Sequence, residues 1–303
     1  MDRLEKYKGI IPAFYACYDD EGNISPERVQ MLAKHYLEVG VKGLYVGGSS
    51  GECIYQNVAE RKTVLENVMA AVGGKMTIIA HVAATSTRDS VELAKHAEQL
   101  GVDALAAIPP IYFGLPETAI ADYWSAMVDA TALDFIIYNI PQTTGYALST
   151  NLLNLMLEKD QVIGVKNSSM PVQDIYAFKA SAKREIIIFN GPDEQFVAGR
   201  VMGAEAGIGG TYGVMPELFL KANEAIEKGD IALARKIQYK INDIIFGMVK
   251  CEGHLYDVIK AILAMNGLNV GSARGPLPRI SEKDQAQVKA MHDLIEEAKK
   301  EFK

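Results

Sequence analysis

Short apolar runs rich in β-branched residues recur along the chain, and each is followed by a stretch with helical periodicity. This alternation is typical of βα units built on a parallel sheet. We predict eight such units, and their strands start roughly 20 to 35 residues apart, the size of one βα unit. The predicted strands are 9–16, 43–48, 76–83, 103–110, 134–141, 162–169, 185–192 and 206–213. Because no long linker separates the units, they favour an α/β fold of the closed (β/α)8 TIM-barrel type over a doubly wound sheet.

Start signals for the intervening helices support this assignment independently of the strands. Ser25 and Pro26 form a helix cap followed by proline at the first helical position, and Ser86 precedes an acidic residue three positions later. After the eighth unit, helices are predicted over 230–251, 256–267 and 281–303, with a loop over 271–278. We therefore expect a catalytic barrel over 1–229 and an appended three-helix subdomain over 230–303.

Composition narrows the function classes. A chain of 303 residues that is 49% hydrophobic and 23% charged has ample material for a core, and its length alone fits one large barrel or two smaller domains. The net charge of -7 and the lack of basic runs argue against nucleic-acid binding. We find no signal-peptide pattern and no apolar run long enough to span a bilayer, so a cytoplasmic protein is expected.

The cysteines and histidines do not suggest a disulfide framework or a metal site. Cys17, Cys53 and Cys251 are odd in number and far apart, which predicts reduced thiols. The five histidines show no metal-ligand spacing. No metal site is therefore expected from these residues.

Lys166 is the one ionisable residue in the apolar run 162–167. Removing an ammonium from water is costly unless it is paired or loses its proton. A desolvated neutral amine is a nucleophile toward ketones, so this position suggests an imine-forming enzyme. On the strand pattern alone, a lysine with a buried stem and its head in water is the favoured alternative.

Other polar residues stand at the C-terminal ends of predicted strands, where barrels of this type carry their active sites. Ser49 and Ser50 lie in a glycine-rich turn whose N–H groups and hydroxyls suit a small anion, although such turns often only connect a strand to a helix. Tyr138 ends the fifth strand, and Asp193 and Glu194 follow the seventh. A structural phenol and helix-terminal carboxylates are the alternatives for these three.

Taken together, these residues resemble the family of N-acetylneuraminate lyases and dihydrodipicolinate synthases, which are pyruvate-handling barrels. The resemblance covers nearly the whole chain. It rests on Gly47-Gly-Ser-Ser-Gly-Glu52, Tyr138-Asn-Ile-Pro141 and Gly164-Val-Lys166, in the order and spacing of that family. It makes Lys166 the expected Schiff-base residue.

The resemblance implies a role for each catalytic candidate. Lys166 attacks the keto carbon, and the iminium that forms is the electron sink for the adjacent C–C bond. Tyr138 is the general acid and base at the substrate hydroxyl, and the Ser50 hydroxyl relays to it. Ser49 and Ser50 bind the substrate carboxylate. Tyr112 matches a family tyrosine that crosses a subunit interface to join this relay, so an oligomer, expected as a homotetramer, is implied.

Thr143 bears on the choice of substrate. Dihydrodipicolinate synthases carry an arginine at this position, two residues after the proline of Tyr-Asn-x-Pro, to bind the carboxylate of their second substrate. Its absence argues against lysine biosynthesis. Gly191, Asp193 and Glu194 instead resemble the sialic acid lyase pattern, in which carboxylates and backbone hold a polyhydroxy tail.

Two expected substrate-binding positions depart from that pattern. Ser168 stands where lyases usually carry threonine, so the hydroxyl is kept and the methyl is lost. Gly210 stands where they usually carry serine, so one side-chain contact to the substrate is absent.

The resemblance implies the activity of a pyruvate-dependent class I aldolase, a lyase that cleaves N-acetylneuraminate to pyruvate and N-acetylmannosamine without a metal or an organic cofactor. An aldolase or dehydratase for a shorter 2-keto-3-deoxy sugar acid is the nearest alternative. A non-catalytic barrel that binds sugar acids is an alternative of another class. Lys166, Tyr138 and Ser50 together argue against that last alternative, because binding alone does not require an imine-forming lysine.

Overall fold

The computed structural model describes residues 3–303, over which strands and helices alternate in the predicted order. The strands are Gly9–Pro12 (β1), Gly43–Val46 (β2), Thr77–His81 (β3), Ala104–Ala107 (β4), Asp134–Asn139 (β5), Val162–Asn167 (β6), Ile187–Asn190 (β7) and Ala206–Gly209 (β8). All eight predicted strands are confirmed, but each ends earlier than predicted. Apolar residues continue past the strand ends into buried turns, as in 13–18, so hydrophobicity alone does not mark where pairing stops.

The helices of the barrel lie between the strands and around them. They are Pro26–Val39 (α1), Val58–Val72 (α2), Thr87–Leu100 (α3), Glu117–Val128 (α4), Pro141–Thr144 (α5), Thr150–Met156 (α6), Gln173–Ser181 (α7), Phe196–Val201 (α8) and Pro216–Glu227 (α9). Both predicted caps are present: the Ser25 hydroxyl accepts from Arg28 N at 3.3 Å and the Ser86 hydroxyl from Asp89 N at 3.1 Å.

The strands form one parallel sheet in the order β1-β8-β7-β6-β5-β4-β3-β2. A parallel bridge between Ala13 and Tyr45 joins β1 to β2 and closes the barrel. Because successive strand residues point to opposite faces, Phe135 packs outward under the helices while Tyr138 points into the barrel interior. The interior is a small apolar core, and the larger core lies between sheet and helices.

Three further helices follow the eighth unit, as predicted: Ile231–Met248 (α10), Leu255–Met265 (α11) and Gln285–Glu301 (α12). Helix α10 packs against α9 and α12. The segment 271–278 is loop, and Asp257 of α11 fixes it by accepting from Ala273 N at 2.5 Å and Ile280 N at 2.7 Å. All three cysteines are free thiols. Over residues 3–303, no helix is long and apolar enough to cross a membrane.

Candidate active site

Lys166 and Tyr138 occupy paired positions on β6 and β5, so both side chains enter the barrel interior at the same level. Each is almost fully buried. Nζ of Lys166 lies 3.8 Å from the centroid of the Tyr138 ring and 4.2 Å from that of Tyr45. The alternative of a lysine head reaching bulk water is therefore wrong. A buried amine beside a phenol is the arrangement that imine chemistry needs.

His81, at the end of β3, is the third ring beside Lys166, next to Tyr45 and Tyr138. Its ring contacts both Tyr45 and Tyr138, with centroid separations of 6.0 and 6.1 Å. Nε2 accepts from Ile108 N at 3.4 Å, so Nδ1 carries the proton and donates to Gly47 O at 2.9 Å. Burial, together with the nearby Arg61 guanidinium, holds the pKa of His81 well below its usual range. The imidazole is neutral and serves to position its neighbours.

The turn after β2 carries the two predicted anion-binding serines. Residues Ser49–Gly51 form one turn of 3₁₀ helix in which Ser49 is exposed and Ser50 is buried. Ser49 lines a cavity of about 280 Å³ together with His81, Thr143 and Tyr256. The cavity therefore connects the predicted carboxylate site with the position at which the synthases carry arginine.

Gly210 brings the turn after β8 against the serine turn. A β carbon at Gly210 would lie 3.2 Å from the Ser50 hydroxyl oxygen and 3.8 Å from the Tyr256 phenol oxygen. Tyr15 fixes the backbone here by donating to Gly210 O at 2.7 Å. The phenol of Tyr256, from α11, thus lies close to the volume that a serine side chain at residue 210 would enter.

One carboxylate oxygen of Asp193 accepts hydrogen bonds and the other does not. Oδ2 accepts from Thr211 N and Thr211 Oγ1, each at 2.6 Å. Oδ1 is buried and forms no hydrogen bond within residues 3–303. Burial raises the pKa of Asp193 to about 7, against an ordinary value of 3.8. A buried acceptor oxygen that lacks a donor is suited to a hydrogen bond from a hydroxyl group of a ligand.

The backbone around Asp193 is held by the C-terminal helices. Gln238 of α10 donates to Asp193 O at 3.1 Å, and Asn242 donates to Glu194 O at 3.2 Å. Residues Asp193–Gln195 form a 3₁₀ turn before α8. Both carboxylates thus lie where the strand pattern predicts, next to a helix start, yet Asp193 is buried rather than a solvated helix-terminal charge.

Ser168 and Gly191 lie in contact after β6 and β7. A β carbon at Gly191 would stand 2.0 Å from the Ser168 hydroxyl oxygen, so only glycine allows this approach. Ser168 N donates to Asn139 O at 2.8 Å. The ends of β5, β6 and β7 are therefore tied together around one rim of the site.

Comparison with known proteins agrees with this geometry. The model of the dihydrodipicolinate synthetase family matches residues 6–295. The chain belongs to this family. An N-acetylneuraminate lyase of Mediterraneibacter gnavus is 62% identical over 100% of this chain and 96% of the relative, and one of Rhizobium meliloti is 33% identical over 94% of each. A solved sialic acid aldolase of Ruminococcus gnavus, a catalytic lysine mutant, superposes with a TM-score of 0.99 at 61% identity over the whole of both chains.

Tyr112, a predicted site residue, lies away from this cluster. Its side chain is 93% exposed, its backbone is left-handed with φ 84°, and its ring packs only edge to face on Phe113 at 4.9 Å. It does not enter the site of its own chain. A role in the site of a neighbouring subunit stays a prediction.

Three side chains that lie near Lys166, Tyr138 or the serine turn were not predicted from the sequence: Tyr45, His81 and Tyr256. Strands of a parallel barrel are buried on both faces, so no polar alternation shows which side of β2 or β3 points inward. Tyr45 stands two residues before Gly47, and this short distance to the glycine-rich turn is the one signal that could have pointed to it. Tyr256 lies on a helix far along the chain, and no local pattern relates it to the serine turn.

Proposed function

We propose that this chain is an N-acetylneuraminate lyase, a class I aldolase that cleaves N-acetylneuraminate to pyruvate and N-acetylmannosamine. One observation carries the proposal: the amine of Lys166 is buried inside a barrel beside the phenol of Tyr138, where it can form an imine with a keto acid. The names of the relatives, lyases at 62% and 33% identity, support the same activity.

In the proposed reaction, the turn with Ser49 and Ser50 binds the substrate carboxylate and so directs the keto carbon toward Lys166. The amine adds to this carbon, the carbonyl oxygen leaves as water, and an iminium remains. Tyr138, with Ser50 as relay, takes the proton from the substrate hydroxyl next to the bond that breaks. The C–C electron pair moves into the iminium to give an enamine, which is protonated and hydrolysed to pyruvate. Tyr112 of a neighbouring subunit joins the relay.

Substrate length is selected on the same face of the barrel, around the ends of β6, β7 and β8. We assign the binding of the polyhydroxy tail to Gly191, Asp193 and Glu194, with Ser168 and Gly210 at its edges. Oδ1 of Asp193 supports this assignment because it is buried without a hydrogen-bond donor within residues 3–303, and a substrate hydroxyl would supply one. The chain carries Thr143 rather than arginine in the adjoining cavity, which leaves a second carboxylate without a cation there.

We further propose that residues 1–229 form the catalytic barrel, that 230–303 brace it, and that the protein acts in the cytoplasm as a homotetramer. Tyr256 of α11 and the hydrogen bonds from Gln238 and Asn242 of α10 support a bracing role for these two helices, since each of these side chains reaches a residue of the proposed site.

A direct assay tests the activity. Purified protein is incubated with N-acetylneuraminate and with shorter 2-keto-3-deoxy sugar acids, and pyruvate release is measured. Borohydride added together with pyruvate is expected to inactivate the protein and to modify Lys166, as peptide mapping would show. Release from the short acids only would make the protein an aldolase for those substrates. Modification at another lysine, or at none in folded protein, would contradict the imine mechanism.

A further inference from the structure

Two aromatic ring faces flank Nζ of Lys166. Nζ stands 3.8 Å from the ring centroid of Tyr138 and 4.2 Å from that of Tyr45, and the two rings meet edge to face with centroids 5.8 Å apart. Within residues 3–303, no carboxylate forms an ion pair with Lys166. The two π faces are therefore the contacts available to a positive charge that forms on this nitrogen.

Tyr45 is held in place by its ring and not by its hydroxyl. The phenol oxygen is buried and forms no hydrogen bond within the described part of the chain. A β carbon at Gly48 would lie 2.6 Å from Cε1 of Tyr45, so the ring rests directly on the backbone of the serine turn. The ring face toward Lys166 is thus fixed between β2 and that turn.

We propose that Tyr45 is a further catalytic residue: its ring face, together with that of Tyr138, stabilises the positive charge on the nitrogen of Lys166 in the iminium formed with the keto acid. This proposal rests on the proposed function, because it requires that Lys166 forms the imine.

The formation of the iminium is the step at which the Tyr45 ring acts. When the neutral amine adds to the keto carbon, the oxygen leaves as water with one proton from the amine and one from a general acid. The product carries a C=N bond, one N–H and one positive charge. Loss of that N–H proton gives a neutral imine, which is a weaker electron sink. Cation–π attraction acts only on the charged form, so the ring of Tyr45 favours the iminium over the neutral imine.

Other titratable groups lie near the same nitrogen, and their charge states must be known over the pH range of a test. Lys166 lies within electrostatic reach of His81, Cys53 and Asp193, and it contacts the ring of the Tyr138 phenol, which all the variants at residue 45 retain. Burial lowers the pKa of His81 and raises that of Cys53, so that imidazole and thiol are uncharged near neutral pH. The pKa of Asp193 is about 7, and burial raises the pKa of Tyr45 well above its usual value. From about pH 8 upward, Asp193 is ionised and Tyr45 remains neutral.

The experiment measures how the iminium fraction depends on pH. With saturating pyruvate, the rate at which cyanoborohydride modifies Lys166 is followed from about pH 8 to 10, because this reagent reduces the charged iminium. In Tyr45→Leu, we expect the alkaline decline of the rate to move down by about one pH unit. Tyr45→Phe keeps the ring face and is expected to return the decline to its original position.

Phe135→Leu is the matched control. Phe135 is also a buried strand aromatic, but it packs outward under the helices, so its loss removes a ring without touching Lys166. In this control, the rate of Lys166 modification is expected to depend on pH as it does in the original protein. A folded Tyr45→Leu variant with an unshifted profile would overturn the proposal, as would a Tyr45→Phe variant that shifts as far as Tyr45→Leu.

A second set of variants covers the case in which Tyr45→Leu does not fold. Phenylalanines with increasing fluorination at residue 45 keep the ring shape and weaken its negative face, so a progressive downward shift is expected. Equal profiles across the series would overturn the proposal. Failure of the original protein to be modified at Lys166 at any pH contradicts the proposed function itself, whereas normal modification with unshifted variants contradicts only the role of Tyr45.

Discussion

Oε1 of Glu52 lies 2.6 Å from Nζ of Lys260, and both side chains are buried although 208 residues separate them. Glu52 directly follows the serine turn and has a left-handed backbone with φ 51°. Its Oε2 accepts from Arg274 N at 2.8 Å, and Lys260 also donates to Ser272 O at 3.2 Å. The proposed carboxylate-binding turn is therefore anchored to α11 and to the loop that follows it.

Breaking this pair should strongly destabilise the protein. In Lys260→Met, the Glu52 carboxylate stays buried without its cation, and we expect a loss of about 3–5 kcal/mol in the free energy of unfolding. Adding Glu52→Gln should recover much of the loss, because the amide oxygen can still accept from Arg274 N. Denaturant unfolding measures the free energy of unfolding of the single and the double variant. Lys289→Met removes a solvent-exposed pair with Asp293 and should change little. Equal effects of Lys260→Met and Lys289→Met would contradict the burial argument.

Tyr138→Phe separates the phenol from the ring. We expect this variant to keep imine formation, since the ring still faces Lys166, but to lose about 10²- to 10⁴-fold in turnover, the usual contribution of a positioned general acid or base. Cyanoborohydride modification with pyruvate measures the first quantity and pyruvate release the second. Tyr176→Phe alters an exposed phenol and serves as the control. Turnover near that of the original protein would make Tyr138 a structural residue.

Tyr112 links activity to assembly. If this exposed tyrosine completes the site of a neighbour, the active species is an oligomer and a monomer is impaired. We expect specific activity to fall on dilution in step with dissociation seen by sedimentation. A fully active monomer would show that Tyr112 takes no part in the relay.

Much of this site follows from the sequence because a parallel barrel collects its strand ends at one face. Once eight βα units are identified, Lys166 and Tyr138 must lie on adjacent strands, and the serine turn must open on the same face. The pair of Glu52 and Lys260 does not follow in this way. It depends on how a C-terminal helix packs against the barrel, and no local pattern encodes that contact.

The state of Asp193 was equally inaccessible from the sequence. Two adjacent carboxylates before a helix are ordinarily solvated charges that interact with its terminus. Only the packed structure shows that Thr211 covers one oxygen of Asp193 and that burial raises its pKa. Position along the chain predicted that Asp193 follows a strand end, and tertiary packing determined its burial and its pKa.

Neutral replacements test whether these carboxylates bind the sugar tail. Asp193→Asn and Glu194→Gln should spare imine formation with pyruvate, yet lower kcat/KM for the long sugar acid about tenfold to over a hundredfold. This is the loss expected from one hydrogen bond to a charged group, about 1.5–3 kcal/mol. Short keto acids provide the internal comparison and should be affected much less. Equal losses on short and long substrates, or none on either, would remove the tail-binding assignment.

Asp193 should also make stability depend on pH. Its folded pKa of about 7 lies above the ordinary 3.8, so the folded protein holds this proton after the unfolded chain has released it. Between about pH 4 and 7 the unfolded state therefore binds fewer protons, and the stability contributed by this group falls as pH rises, by up to about 4 kcal/mol. Above about pH 7 the loss is complete. Asp193→Asn cannot ionise and should not show this decline.

The measurement is the free energy of unfolding of the original protein and of Asp193→Asn at intervals from about pH 4 to 8. As pH rises, the free energy of unfolding of the original protein should fall relative to that of Asp193→Asn, and the difference should level off above about pH 7. Asp284→Asn is the matched control: backbone hydrogen bonds hold the pKa of Asp284 below its usual value, so its effect changes only at lower pH and its difference curve should be flat over this window. Parallel curves for the original protein and Asp193→Asn would mean that Asp193 ionises in the folded state as it does in water, which its burial and its single satisfied oxygen argue against.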